Sequence, residues 1–222
     1  MHWIAQPQCR IHGPPVVSDS MRLISAVFLS LLLICSVACG AHVESAVFMG
    51  DSITAWWDLK TYFPGSYYLD KGVPGNTTAQ MLARFDVDVI AHQPKVVVIL
   101  GGTNSIGYVS NEQVEQELQA MYTAAQQAGI RVVACTITPR RPSASDARGD
   151  LTPQILVVNE WIKQYAAANG IVVADYYLAL AGPDGLLPKN LTTDFVHLTP
   201  AAYEKITPVA DREIAAVLAS GN

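Results

Sequence analysis

Short apolar runs alternate with amphipathic segments along most of this chain, and this alternation restricts its fold more than any other feature. The run Val96-Val97-Val98-Ile99-Leu100 contains no polar residue, which is typical of a strand covered on both faces. Strands are predicted at 46–49, 67–69, 95–100, 130–137 and 171–175. Helices are predicted between them at 114–125 and 153–169, and a final helix opens at Thr199-Pro200. This order predicts one α/β domain with a five-stranded parallel sheet and helices on both faces.

Polar or small residues follow the first three predicted strands. Ser52 comes after the first, Gly75 after the second and Asn104 after the third. The carboxyl ends of parallel strands meet at one edge of a sheet, and ligands bind there. We therefore expect Ser52, Gly75 and Asn104 to lie at the same edge.

Ser52, Asp194 and His197 supply the groups of a hydrolytic triad, in that chain order. A serine hydroxyl at the end of a strand can act as a nucleophile, and an imidazole can accept its proton at neutral pH. Asp194 lies three residues before His197, and on a turn this spacing lets its carboxylate reach the Nδ1 proton of the imidazole. The pattern predicts Ser52 as nucleophile, His197 as base and Asp194 as the group that orients the base.

Hydrolysis of an ester also needs donors for the oxyanion that forms on the carbonyl. The candidates are the backbone amide of Ser52, the backbone amide of Gly75 and the carboxamide of Asn104. Each residue taken alone has an ordinary structural explanation, as a turn serine, a tight-turn glycine or a loop asparagine. The ordered set is what favours catalysis.

Other residues near these segments are candidates for substrate binding. Trp56 and Trp57 follow the nucleophile and either wall an acyl pocket or pack in the core. Arg140 and Arg141 lie in the polar stretch 139–149, after the fourth strand. That stretch is either a substrate loop or a solvated connection, and the second interpretation is favoured.

Four segments resemble the conserved blocks of the SGNH hydrolase family, also called GDSL esterases and lipases, in the family's order. They are Gly50-Asp51-Ser52-Ile53, Gly72-Val73-Pro74-Gly75-Asn76-Thr77, Gly102-Thr103-Asn104 and Asp194-Phe195-Val196-His197. Isoleucine replaces the leucine of the family name in the first block. Ser105 stands after the third block, where the family commonly has Asp or Asn.

The resemblance covers essentially the whole body of the chain, from residue 45 to the final helix. It implies a flavodoxin-like three-layer α/β/α sandwich, and serine hydrolysis of carboxylic esters through an acyl-serine intermediate without a cofactor. It also implies the triad and oxyanion roles given above for Ser52, Gly75, Asn104, Asp194 and His197. Asp51 is expected to serve the local turn rather than the chemistry.

The first 42 residues do not resemble a part of the domain that we predict at 43–222. Met21-Arg22 precedes a long apolar stretch, so 21–42 is interpreted as a secretory signal. Residues 1–20 are interpreted as a non-native leader or a misassigned start. Cys39 ends a segment that resembles the lipobox, at which lipoproteins are acylated. Plain secretion, acylation of Cys39, and an uncleaved anchor at 23–41 all stay open, and each implies export to the periplasm or the cell exterior.

Composition excludes several classes of partner. The net charge of −5 repels a nucleic-acid backbone, so no nucleic-acid partner is expected. Cys135 is the only cysteine beyond the N-terminal segment, which leaves no disulfide there, and a buried strand thiol is its favoured interpretation. The spacing of Cys and His in the domain does not suit a structural metal, and no metal site is predicted.

The substrate is expected to be a small-molecule or glycan ester with a short acyl or acetyl group. The alternatives are a lysophospholipase or thioesterase of the same family, and a catalytically inactive carbohydrate-binding relative. The sequence contains no Gly-x-Ser-x-Gly elbow, no Walker loop and no Gly-x-Gly-x-x-Gly motif. Their absence argues against an α/β-hydrolase fold and against a nucleotide binder.

Overall fold

The structure, a computed structural model, describes residues 46–220. The leader predicted at 1–20, the signal predicted at 21–42 and the possible lipidation site Cys39 lie outside the described residues. None of the helices in the described part of the chain is long and apolar enough to span a bilayer.

Five parallel strands form one sheet in the order β2-β1-β3-β4-β5. They are β1 (Ala46–Gly50), β2 (Tyr68–Gly72), β3 (Val96–Leu100), β4 (Arg131–Cys135) and β5 (Val172–Ala174). The predicted five-stranded parallel sheet is confirmed. Strand β4 ends before the predicted 137, because the Ile137 N–H donates to the side chain of Asn159 (2.7 Å) instead of continuing the ladder.

Eight helices connect or cover the strands within residues 46–220. They are α1 (Ser52–Ala55), α2 (Leu59–Tyr62), α3 (Thr78–Ala83), α4 (Phe85–Asp88), α5 (Asn111–Gln127), α6 (Thr152–Ala168), α7 (Tyr176–Leu180) and α8 (Pro200–Ala219). Short 3₁₀ turns lie at Ile90–His92 and Lys189–Leu191. The three long helices α5, α6 and α8 are the ones that apolar spacing predicts.

Alternate residues of the strands face two separate apolar cores, one on each side of the sheet. Phe48 and Val98 point to the side covered by α8, where they pack in a cluster with Ile206. Val47 and Ile99 point to the side covered by α5 and α6. All four strand side chains are at most 2% exposed. The result is the three-layer α/β/α sandwich that the sequence and the resemblance predict.

Cys135 at the end of β4 is a free and buried thiol, as predicted. Burial raises the pKa of this thiol to about 12. The thiolate, which is the reactive form, is therefore strongly disfavoured.

Candidate active site

The turn after β1 presents the candidate nucleophile. A Cβ at Gly50 would lie 2.0 Å from Thr54 Oγ1 and 2.9 Å from Leu100 O, so glycine alone fits this turn. Asp51 then caps α1, since its Oδ1 accepts a hydrogen bond from the Ile53 N–H (2.9 Å). The predicted local role of Asp51 is confirmed. The Asp51 side chain is buried, and burial raises its pKa to about 6.

Ser52, His197 and Asp194 form a continuous hydrogen-bonded chain. Ser52 Oγ lies 2.9 Å from His197 Nε2, and His197 Nδ1 lies 2.6 Å from Asp194 Oδ2. The carboxylate accepts a hydrogen bond from the Nδ1–H group, so Nε2 carries the free lone pair toward the serine hydroxyl. The bond between Ser52 and His197 joins residues that are 145 positions apart in the sequence. The fold thus brings the three side chains together.

Asp194 is held in place by the loop that carries both residues. Its Oδ1 accepts hydrogen bonds from the backbone N–H groups of His197 (2.8 Å) and Val196 (3.2 Å). Partial burial alone would raise the pKa of Asp194, but these bonds and the imidazole outweigh burial and hold the pKa below its ordinary value. The carboxylate therefore stays ionised at neutral pH, as orientation of the imidazole requires.

Phe195, between Asp194 and His197, has a φ of 78°, in the left-handed region that non-glycine residues rarely adopt. Its carbonyl accepts a hydrogen bond from the Arg141 N–H (2.9 Å), and the His197 carbonyl accepts one from Thr193 (2.9 Å). Such a conformation costs about 1–3 kcal/mol and recurs at functional sites. The sequence carries no signal for this strained turn.

The oxyanion candidates leave the sheet beside Ser52. Gly50 pairs with Gly72 of β2 on one side and with Leu100 of β3 on the other. The segments that carry Ser52, Gly75 and Asn104 therefore start at one level of the sheet, as predicted. Gly75 has a φ of 79° and a Cβ there would meet no atom within 4 Å. Backbone conformation, rather than space, is thus the reason for a glycine.

Asn104 is oriented by the segment after Gly75. Its Nδ2 donates to the backbone carbonyl of Asn76 (3.1 Å). The next residue, Ser105, accepts a hydrogen bond from the Thr78 N–H through its Oγ (2.9 Å). The Thr78 hydroxyl in turn donates to the carboxylate of Glu117 on α5. This network joins the two candidate oxyanion segments to each other and to α5, and the sequence did not predict it.

The predicted substrate-binding tryptophans have different positions. Trp56 is 53% exposed, and its ring centroid lies 4.1 Å from that of His197. Trp57 is 2% exposed and packs edge-on against Phe48, with 5.6 Å between the centroids. The prediction that Trp57 binds substrate is wrong, because the turn at the end of α1 directs its ring into the core.

The arginines of the 139–149 stretch hold its shape. Arg140 is 4% exposed and forms an ion pair with Asp146, so the prediction that its side chain contacts substrate is wrong. Arg141 Nη1 donates to the Leu187 carbonyl (3.0 Å). Arg148 donates to the carbonyls of Thr103 and Ile106. Five of the eleven residues of the stretch are exposed, and these inward-pointing side chains attach the rest to the active-site edge.

A cleft of about 410 Å³ adjoins the oxyanion candidates. Gly75 and Asn104 form part of its wall, and Tyr108, Gln113 and Glu117 form another part. Within residues 46–220, no group of three His, Cys, Asp or Glu side chains is arranged to hold a metal ion.

Comparison with known proteins supports the family resemblance. Platelet-activating factor acetylhydrolase IB subunit alpha2 of Gallus gallus is 26% identical over 179 residues, which are 76% of this chain and 75% of that protein. The uncharacterized lipoprotein YqeF of Bacillus subtilis is 27% identical over 137 residues, which are 51% of this chain. The match spans 56% of the length of that lipoprotein.

Solved structures agree. The crystal structure of a GDSL-like lipase from Bacteroides thetaiotaomicron superposes with a TM-score of 0.75 at 27% sequence identity, over 85% of this chain and 97% of the other. Residues 48–205 match the model of the GDSL-like Lipase/Acylhydrolase family, and this range is more than half of the chain. The chain therefore belongs to the GDSL-like lipase/acylhydrolase family, whose enzymes hydrolyse ester bonds.

Proposed function

We propose that this protein is an exported serine esterase that cleaves carboxylic esters through an acyl-serine intermediate. The observation that carries the proposal is the hydrogen-bonded chain from Ser52 Oγ through His197 to Asp194. A serine in such a chain can lose its proton to Nε2 as it attacks a carbonyl carbon. Family membership gives ester hydrolysis, and this chain of bonds supports the roles of the individual residues.

The reaction has two halves in this proposal. Ser52 Oγ attacks the carbonyl carbon while His197 Nε2 takes the hydroxyl proton, and Nε2 then gives that proton to the departing alkoxide. Water attacks the acyl-serine in the second half, with His197 again accepting a proton and returning it to Ser52 Oγ. The oxyanion of each tetrahedral intermediate receives hydrogen bonds from the backbone amides of Ser52 and Gly75 and from the carboxamide of Asn104.

The acyl group is proposed to be short, such as acetyl. A carbonyl held by Gly75 and Asn104 would direct its acyl chain toward the cleft that these residues line. The wall of that cleft carries the Glu117 carboxylate and the Gln113 amide, and covering such polar groups with an apolar acyl chain is unfavourable. The relative from Gallus gallus is named an acetylhydrolase, which fits this preference. The alcohol part is proposed to be a glycan or another small molecule.

A panel of p-nitrophenyl esters from acetate to palmitate tests the activity and the acyl preference together. We expect kcat/KM to be highest from acetate to butyrate and to be lower by about tenfold for octanoate. A tenfold ratio corresponds to a difference of about 1.4 kcal/mol. Glu117→Gln removes the charge, and its Oε1 can still accept from the Thr78 hydroxyl while its Nε2 donates to a turned-over Gln113 carboxamide. It should therefore raise the octanoate rate relative to acetate.

Glu112→Gln is the matched control, because Glu112 is an exposed residue of the same helix outside the cleft. Its chain-length profile should equal that of the native protein. A native profile that peaks at octanoate or palmitate would contradict the short-chain proposal and favour a lysophospholipase. Absence of hydrolysis across the whole panel would favour an inactive carbohydrate-binding relative.

Export is proposed from the signal-like segment 21–42 and from the lipobox resemblance at Cys39. The name of the Bacillus subtilis relative, a lipoprotein, supports export. Acylation of Cys39 would tether the domain to a membrane surface, whereas plain cleavage would release it. Intact-mass and N-terminal peptide mass spectrometry of the protein expressed in a bacterium should show loss of the segment before Cys39 or a nearby residue. A mature protein that retains residues 21–42 would contradict cleavage and favour the uncleaved anchor.

A further inference from the structure

The guanidinium of Arg84 is the junction of several chain segments at the active-site edge. Arg84 lies between α3 and α4, and its side chain is 19% exposed. Its Nη2 donates to the Gly50 carbonyl (2.8 Å), and its Nη1 donates to the Lys71 carbonyl (2.9 Å). Gly50 is the last residue of β1 and Lys71 is the last but one of β2, so one side chain binds both strands where they leave the sheet.

The same side chain reaches the candidate oxyanion segment. Arg84 Nε donates to Asn76 Oδ1 (2.7 Å), and Asn76 directly follows Gly75. The backbone carbonyl of Asn76 is the acceptor for Asn104 Nδ2. A path of two hydrogen bonds through Asn76 therefore joins the Arg84 guanidinium to the Asn104 carboxamide.

The bond between Asn76 and Asn104 decides how the carboxamide can act. A primary amide has two N–H groups, and the Asn76 carbonyl takes one of those on Asn104. Rotating the carboxamide by half a turn would place its oxygen against the Asn76 carbonyl oxygen, which is repulsive. The amide is thus held with its second N–H available to an oxyanion. Donors fixed before the reaction contribute most to catalysis, because they need not reorganise in the transition state.

The Gly50 carbonyl, in the turn that leads to the nucleophile, is also fixed by hydrogen bonds. It accepts hydrogen bonds from both Arg84 Nη2 and the Val73 N–H (3.0 Å). Both acceptor positions of this carbonyl are therefore occupied, two residues before Ser52. The planar fork of a guanidinium can hold several acceptors at fixed angles, whereas a lysine ammonium on a flexible stem cannot.

We propose that Arg84 is a positioning residue for catalysis, which acts through Asn76 to hold the Asn104 carboxamide as an oxyanion donor. The inference rests on the proposed function, since it assumes that Asn104 binds the oxyanion. Arg84 takes part in no proton transfer and contacts no reacting atom. Its contribution is to hold the donors at the position where negative charge develops.

A purely stabilising role is the competing explanation, because Arg84 also forms an ion pair with Asp88 (2.7 Å), which in turn contacts Lys71 (3.4 Å). Partly exposed pairs of this kind add little to stability. The two roles differ in a measurable way: loss of an ion pair lowers the unfolding temperature, whereas loss of alignment lowers kcat at constant fold.

A double-mutant cycle tests the proposal. Arg84→Lys keeps the positive charge near Asp88 but removes the fork, and we expect kcat to fall about 10-fold to 100-fold while KM changes less than about threefold. Asn104→Ala should lose about 100-fold to 1000-fold in kcat. If Arg84 acts through Asn104, the double variant should lose no more than Asn104→Ala alone, within about threefold. Losses that multiply would overturn the proposal.

Two further variants keep the test decisive. Asp88→Asn removes the charge of the ion pair and leaves the bonds from Arg84 to Gly50, Lys71 and Asn76 possible, so its kcat should stay within about twofold of native. Asn76→Ala removes the Oδ1 acceptor but keeps the backbone carbonyl, and it should lower kcat in the same direction as Arg84→Lys. This variant decides the matter if Arg84→Lys does not fold.

Thermal unfolding is measured on each variant. A kcat loss in Asp88→Asn equal to that in Arg84→Lys would show that the ion pair, and not the bond from Arg84 to Asn76, controls kcat, and it would overturn the proposal. Native activity in both Arg84→Lys and Asn76→Ala would also overturn the positioning role. Failure of the proposed function is distinguishable, because it would appear as absence of esterase activity in the native protein or as activity that persists in Ser52→Ala, whatever the Arg84 variants do.

Discussion

Ser52→Ala should lower kcat/KM for p-nitrophenyl acetate by about 10⁴-fold or more, because it removes the atom that attacks the carbonyl. Folding should be unaffected. The Asp51 cap of α1 uses the Ile53 N–H and not the serine side chain, and the Ser52 hydroxyl bonds His197. Loss of one such partly buried bond costs about 1 kcal/mol. Steady-state kinetics and thermal unfolding measure the two effects.

Covalent labelling gives an independent result for the same residue. A fluorophosphonate should add one adduct to the native protein and none to Ser52→Ala, as followed by intact mass. Ser105→Ala is the matched control for labelling, because Ser105 is also a buried serine at this edge, hydrogen-bonded to Thr78 rather than to an imidazole. It should still be labelled. An adduct that persists in Ser52→Ala would contradict the assignment of the nucleophile.

The scaffold of the site is predictable from sequence because local patterns encode it. Unbroken apolar runs such as Val96–Leu100 indicate strands covered on both faces, and the parallel order then places the ends of β1, β2 and β3 at one edge. Ser52, Gly75 and Asn104 follow those ends. The parallel topology alone brings the three segments together.

The support around the site is not encoded locally. The partners of Arg84 include Gly50, which is 34 residues away. They also include Lys71 near the end of β2 and Asn76 after it. In the sequence, an arginine at a helix end cannot be distinguished from a solvated arginine, because its partners lie in distant segments. Trp57 illustrates the converse difficulty. It neighbours the exposed Trp56 in sequence, and a four-residue helix is too short for periodicity to reveal which of the two rings is buried.

The burial of Arg140 cannot be predicted from the sequence for a related physical reason. A charged residue in a polar stretch is normally solvated, yet Asp146 folds back to pair with it. Asp146 also accepts hydrogen bonds from Arg148, which lower its pKa. The Asp146 carboxylate neutralises the buried guanidinium, and this pairing is a property of the folded loop rather than of the spacing.

His197→Ala should lower kcat/KM by about 10⁴-fold, about as much as loss of the nucleophile, because Ser52 Oγ then has no base within hydrogen-bond reach. Asp194→Ala should cost less, about 10²-fold to 10³-fold. The Asp194 side chain is 52% exposed, so water can replace part of its interaction, and the Trp56 ring at 4.1 Å still restricts the imidazole. Equal defects in the two variants would contradict this ranking.

The pH dependence of kcat/KM tests whether His197 or a neighbouring carboxylate causes the loss of activity in acid. Activity should fall on acidification, because a protonated imidazole cannot accept the serine proton. Asp194, whose pKa is held below its ordinary value, stays ionised well below neutral pH and cannot cause the fall. Asp51 can, since burial raises its pKa to about 6 and its charge acts on His197.

Asp51→Asn resolves the two contributions. The asparagine oxygen can still accept the Ile53 N–H and cap α1, but it has no proton to lose or gain between pH 5 and 7. If His197 governs the profile, the acid limb persists in this variant. A flat profile in Asp51→Asn would assign the limb to Asp51. It would then be the buried carboxylate at the nucleophile turn, and not the base, that sets the working range of the enzyme.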